Sequence, residues 1–418
     1  MHRFIRPAVV TAALAAACAL SACGGGSDTT ELDAPAVPAA PDTGTATRPL
    51  MSPSQAAEHT AAKYLAQAGA LGTDGSGLTV DGWTPPDVGD AAGFSPTFVV
   101  AADGSGTHTT LQAAIDAVPA LAQSTVRHFI LMKPGTYREV VCANGKAPVT
   151  LYGAGPDASA VVVVAGHYNA EPKVEGTPAN PCNPNAAAKT YGTSGSASVA
   201  IYSDQFHAKN ITFANDAMKN VANGEGYPEG ASGRGGAQAV ALMTQGDRLV
   251  FDNVRVVGHQ DSLYVKTANT ATVARAYLRK SHVEGDVDFI FGRGTAVFAQ
   301  CRIHYVSTRL PAGASTAMLA PSTSPLNRYG MLFVDSDFTA DTGAVAGAIH
   351  LGRAWDEGVN ATTNPYVAGV SPNGQLLVRD SRLGAHIQPT APWTTSTSGR
   401  AWTADGNRFA EYRNTQAP

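Results

Sequence analysis

Several chemistries are absent from this sequence. It contains no CxxC, no HExxH and no paired Cys/His spacing, so no zinc site is supported, and no metal or other cofactor is expected. It contains no G-x-S-x-G, which removes the exposed nucleophile turn of the serine hydrolases. Runs of like charge are missing, and 29 Lys and Arg against 33 Asp and Glu leave a net charge of −4, so nothing recommends nucleic acid as a partner. Aromatics are scarce, at 7%. The abundant residues are 43 Gly and 26 Pro, set among short Val, Ile and Phe runs, a composition of many turns that favours an all-β chain over a helical bundle. At 418 residues and 44% hydrophobic, the chain can bury a substantial core.

The start of the chain does not read as fold. His2, Arg3 and Arg6 precede "AVVTAALAAACAL", residues 8 to 20, an apolar run too short to span a membrane as a mature helix. The "LSAC" that closes it resembles a bacterial lipobox, which implies a lipoprotein signal peptide over 1–22 and lipidation of Cys23; an ordinary secretory signal cut near Ala22 is the alternative. Gly24 after Cys23 implies outer-membrane sorting, so a lipid-anchored outer-membrane protein is expected. Residues 23–78 read as the lipidated Cys and a flexible linker, in which "SQAAEHTAAKYLAQAG" (54 to 69) can form a short helix. The domain proper is expected over 79–418.

With Cys18 removed and Cys23 lipidated, Cys142, Cys182 and Cys301 remain in an oxidising compartment, which suggests one disulfide and one free thiol. Cys301 takes a small-residue slot in the repeat described next, so it is expected buried and reduced. Cys142 and Cys182, in looser Asn- and Pro-containing surroundings, are the expected pair.

A strand over Thr97 to Ala101 leads to a short helix capped near Thr109 or Thr110, with Leu111, Ala114, Ile115 and Val118 on one face. Short strands with a weak repeat follow. "VFAQCRI", "LFVDSDF" and "LVRDSRL" place apolar residues four and three before a small Cys or Ser and again two after it; "FHAKNITF" and "LVFDNVRV" centre on Asn210 and Asn253 with the trailing residues shifted by one. A constant strand set with loops of varying length predicts a right-handed parallel β-helix with a short N-terminal capping helix. On pattern alone a β-sandwich or propeller stays open. In a β-helix, residues one turn apart become neighbours about 4.8 Å apart. Asp261 in "GHQDSLYV" and Asp288 in "VDFIFG" are then expected to face each other.

The segments "QAVAL" (238 to 242), "GHQDSLYV" (258 to 265), "VDFIFG" (287 to 292) and "LGRAW" (351 to 355), in this order, resemble those of the pectin methylesterases, and the lipobox resembles that of the outer-membrane lipoprotein members. The resemblance runs from "DGSGTHTTLQAAIDAVP" through "GTYREVV" to "NRFAEY" and implies the same β-helix fold. It implies hydrolysis of galacturonate methyl esters without metal, on methyl-esterified homogalacturonan or oligogalacturonides, by a monomer. By the same resemblance Asp288 is the nucleophile, Asp261 the general acid and then base, Gln238 and Gln260 the oxyanion amides, and Arg353 the guanidinium beside the nucleophile. Tyr264, Phe291 and Trp355 would floor the sugar groove, and Thr193 would touch substrate.

The chemistry asks for these residue types independently. A nucleophilic carboxylate must stay ionised in a semi-apolar site, which a bidentate Arg arranges. Leaving methoxide needs a proton, which a buried second carboxyl beside a negative charge retains. Amides stabilise the oxyanion without ionising. The departures are "LGRAW" for the usual "LGRPW", "QDSL" for "QDTL", and a longer interval between Asp261 and Asp288, expected to bulge as a loop around "TANTATVARAY". Competing readings are an acyl-CoA thioesterase-like hydrolase, a non-catalytic polysaccharide-binding β-helix, and a β-helix lyase or glycosidase, since inverting glycosidases also pair carboxylates.

Overall fold

In the computed structural model, which describes residues 44–417 apart from 73, 75, 179, 234 and 361, parallel strands coil into three sheets of ten, nine and eight strands. The signal peptide and Cys23 fall on residues 1–43, outside the described residues. One turn is Leu249–Asp252, Arg255–Val257 and Leu263–Val265, and the next is Arg275–Arg279, His282–Gly285 and Ile290–Gly292; each strand pairs in parallel with its counterpart one turn on. The result is the parallel β-helix expected, right-handed as parallel crossovers are. A continuous apolar core fills it, with Phe298 and Phe333 stacked at 4.3 Å between ring centroids.

The turn between the ten- and nine-stranded sheets explains the repeat. Asn253, Lys280, Gln300, Asp335 and Asp380 all adopt positive φ there, and a small residue follows in the last four turns. The small side chain is chosen for its hydrogen bonds: Ser281, Ser336 and Ser381 each accept from the backbone N–H of the preceding turn, at 3.0–3.1 Å, and each donates back to the carbonyl two residues earlier. Asn210 and Asn253 therefore align with the positive-φ residue rather than with the small one, which accounts for the one-residue shift. Cys301 sits in that slot, free and buried, its thiol pushed up to about 12 by burial.

The helix Leu111–Ala117 closes the N-terminal end of the coil. Thr110 caps it, Glu139 accepts from the N–H groups of Leu111 and Gln112, and Leu111, Ala114 and Ile115 are buried in the core.

Over residues 44–78 the helix expected within 54–69 is present, as two short helices, and the segment is packed against the coil. Helices Pro53–Ala57 and Ala61–Ala66 and the hairpin Gln67–Gly69/Leu78–Val80 pack on the outer face of the ten-stranded sheet. That face presents Val297, Leu332 and Leu377, which Tyr64 and Leu65 cover. Tyr64 donates to Gln375 Oε1 at 3.0 Å, and the buried Arg275 binds both Asp81 and Asp247. A polar composition concealed a few large side chains with an apolar sheet to bury.

Candidate active site

The eight-stranded sheet carries the candidate site. Leu263–Val265 pairs with Ile290–Gly292, Leu263 opposite Ile290 and Tyr264 opposite Phe291. This register puts Asp261 and Asp288 at equivalent positions on successive turns, each in the left-handed region at φ 64° and 46°. Their N–H groups donate along the coil, to Val287 O at 3.1 Å and Ala317 O at 2.8 Å. Such a conformation is uncommon for residues other than Gly, although Asn and Asp adopt it more readily than most.

Arg353, at the end of strand Ile349–Arg353, grips Asp288 with both arms, Nε to Oδ1 at 2.9 Å and Nη2 to Oδ2 at 2.6 Å. Burial opposes the charge on Arg353, but Asp288 outweighs it and raises the guanidinium pKa. Asp261 lacks such a clamp. Burial, and then the negative charge of Asp288, hold its carboxyl well above the usual carboxylate range. Beneath it a fully buried ion pair, Arg309 with Asp286, is bidentate at 2.6 Å on each oxygen, and Arg309 also meets Tyr227 Oη at 3.2 Å. Asp286 was not anticipated: in sequence it is one more acid beside Asp288, and only the fold supplies its cation.

All nine predicted site residues line one cleft of about 700 Å³. The amide oxygens of Gln238 and Gln260, on neighbouring turns, are buried without a hydrogen-bond partner. The unpartnered atoms are acceptors, and a buried polar group left unsatisfied costs about 1–3 kcal/mol. Tyr264 stacks on Phe291 at 4.2 Å between centroids, and Trp355 meets both rings edge-on or tilted, at 5.9 and 5.4 Å. Tyr264 and Phe291 are 5% and 4% exposed, so they support the floor more than they present it, whereas Trp355 is only partly buried. Thr193 lies on the single helical turn Gly192–Gly195 and accepts from Asn169 Nδ2 at 2.8 Å.

The rim carries residues that sequence reasoning missed: Asn183, Asn185, Tyr191, Glu357 and Thr397. Asn183 and Asn185 follow Cys182, and the Cys142–Cys182 disulfide ties their loop to the strand Val141–Ala143. That pairing was expected; its consequence for the cleft was not. Glu357 pairs with Arg293 at the other end. The departures noted in sequence are absorbed, since Ser262 donates to His259 O at 3.1 Å and Ala354 is buried. The long interval bulges as expected: residues 266–274 leave the coil and meet the N-terminal hairpin, Leu71 N donating to Ala271 O at 2.7 Å, while pairing resumes at Arg275 opposite Thr295.

The site is thus an Arg-clamped carboxylate and a buried carboxyl, side by side in an aromatic-lined groove of a parallel β-helix. Comparison with known proteins gives the class. The pectinesterase family model matches residues 97–363. The chain is 42% identical to the pectinesterase of Ralstonia solanacearum over 90% of this chain and 92% of that one. The rice weevil pectin methyl esterase structure superposes with a TM-score of 0.71 at 30% identity, covering 89% of this chain and 98% of that one. A pectin methylesterase solved in complex with a hexasaccharide has a TM-score of 0.61 at 26% identity, covering 78% and 90%. The chain belongs to the pectinesterase family and is an esterase.

Proposed function

We propose that the protein hydrolyses the methyl esters of galacturonate residues in pectin or oligogalacturonides, releasing methanol, with Asp288 as nucleophile and Asp261 as acid and then base. The observation that carries this is the asymmetry of the pair: Asp288 held by both arms of Arg353, and Asp261 one turn away, buried, with its pKa raised. An Asp288 oxygen attacks the ester carbonyl carbon, and the tetrahedral oxyanion accepts from the side-chain amides of Gln238 and Gln260. The bond to the methoxy oxygen breaks as Asp261 gives that oxygen its proton, leaving an acyl anhydride on Asp288 and free methanol. Asp261, now a carboxylate, takes a proton from water. The resulting hydroxide opens the anhydride, which restores both acids to their starting states. The chemistry asks for no metal. Thr193 and the floor of Tyr264, Phe291 and Trp355 seat the sugar, and a monomer suffices because one chain supplies every group.

Incubating the protein with methylated pectin and following methanol, new reducing ends and unsaturated product tests this reading. Methanol alone is expected; reducing ends or unsaturation would assign a glycosidase or lyase, and silence on all three a binding protein.

The "LSAC" motif supports an anchor as part of the same proposal: Cys23 carries lipid and holds the esterase on the outer membrane. Cys23→Ser is expected to move the protein to the soluble fraction with methanol release intact. A wild type that takes up no labelled fatty acid would refute the anchor.

A further inference from the structure

A second charged groove lies on the edge between the ten- and nine-stranded sheets, away from the catalytic cleft. It has a volume of about 420 Å³ and is lined by Asp157, Asn253, Arg255, Lys280, His282 and Arg302 among others. Its basic side chains are in register: Arg255 pairs laterally with His282 and His282 with Arg302, so they leave successive turns at one position. A parallel sheet sets that repeat at about 4.8 Å. Lys280 joins them from the turn two residues before His282.

These cations are incompletely neutralised. Among the described residues Lys280 Nζ meets no carboxylate and makes no hydrogen bond, and Arg302 spends only its Nε, on Thr339 Oγ1 at 3.0 Å. Arg255 has Glu284 at 4.0 Å, and Glu284 is already engaged by His282 at 2.6 Å. The acid on the rim, Asp157, accepts from the N–H and hydroxyl of Ser159, which position its charge; it offsets part of Arg255, leaving Lys280 and Arg302 without a carboxylate in contact among the described residues. Further along the ladder Asp337, the lateral neighbour of Arg302, is taken up by Arg382 in a bidentate pair.

The turn chemistry points the same way. At the positive-φ position before Lys280, Asn253 donates to Asn210 at 3.0 Å, an amide ladder that suits this conformation. Lys280 follows at the same turn position at φ 50°, where its backbone is held like those of Gln300 and Asp335 and its side chain is left in the groove.

We propose that this groove is a binding site for de-esterified galacturonan, an extended polyuronate with one carboxylate per sugar, whose repeat is of the same order as one turn of the coil. The proposal rests on the esterase reading, because the ligand is the anionic product that methyl-ester hydrolysis would generate along the same polymer. Bound there, a demethylated stretch would keep the enzyme on its polymer while the cleft works elsewhere on it.

The test is affinity electrophoresis of the full-length protein through gels containing polygalacturonate, highly methylated pectin, or dextran sulfate of matched charge. Lys280→Asn, which suits the turn, combined with Arg255→Gln and Arg302→Gln, is expected to raise the apparent dissociation constant for polygalacturonate about tenfold, as loss of three exposed ion pairs would. Trp355→Ala should leave this retardation in place. Methanol release from a short methylated oligogalacturonide should be unchanged in the triple variant, with the melting temperature as the check on folding. Undiminished retardation in the triple variant, or equal retardation by dextran sulfate, would overturn the proposal. Loss of methanol release from the wild type would instead sink the esterase reading.

Discussion

Asp261 and Asp288 stand at the same register on successive turns, both at positive φ, yet only Asp288 is held by a guanidinium. The backbone treats the two acids alike and the side-chain environment separates them. Arg353 grips Asp288 with both arms, whereas burial, and then the neighbouring Asp288, favour the proton on Asp261. The difference in environment follows from one cation placed nearer to one of two equivalent carboxyls.

If the roles are assigned correctly, the leaving group distinguishes the two acids. Asp288→Asn should lower methanol release by about 10³-fold or more on every ester, since the anhydride cannot form. Asp261→Asn should be as severe on methyl esters but partly restored on an activated aryl ester of the same sugar acid, which departs without a proton. Rescue of Asp288→Asn by the aryl ester would reverse the assignment.

Arg353→Ala should damage both activity and stability. Removing one partner of a buried pair costs about 3–5 kcal/mol. The Arg353 side chain remains 29% exposed and Asp288 11%, so about 2 kcal/mol is expected by urea denaturation. Arg353→Lys should recover most of the stability but not the activity, because a single ammonium cannot reproduce the two-armed grip.

Stability should depend on pH through Asp261. Its folded pKa lies above its unfolded value, so the folded state holds the proton more tightly and stability falls as pH rises from the unfolded to the folded pKa. Asp261→Asn imitates the protonated acid and removes this loss. Its melting temperature should exceed that of the wild type at about pH 8 and converge with it near about pH 4. The reverse order at the higher pH would mean that Asp261 is ionised in the folded protein.

The disulfide should matter to substrate more than to chemistry. Cys142 and Cys182 close a loop with a sequence separation of 40, for which the chain-entropy account gives about 4 kcal/mol. Cys182→Ala, or reduction, frees the loop bearing Asn183 and Asn185. KM for pectin should rise several-fold with kcat little changed, and a fall confined to kcat would contradict that placement.

Much of the fold was legible because a β-helix writes itself locally. The Ser in "LFVDSDF" and "LVRDSRL" marks a turn whose hydroxyl must reach the preceding coil, and the Cys of "VFAQCRI" fits the same slot. The helix after Thr110 was legible from its cap and its apolar face. In residues 44–78 the helical tendency of 54–69 was legible, but not its docking, because the large side chains there are few and what they cover is an apolar sheet face assembled from strands some 200 to 300 residues away.

By itself the sequence determined which residues could do the chemistry: two acids about one turn apart, an arginine, two amides and three aromatic rings, in an order that matches one family. Only the tertiary structure decided what each of them is. The coil brings Arg353 to Asp288 across 65 positions of chain, pairs Asp286 with Arg309, and buries the amide oxygens of Gln238 and Gln260 without partners. Charge state and hydrogen-bond satisfaction depend on distance and on exclusion of water, and neither exists along a chain until parallel strands stack its distant segments side by side.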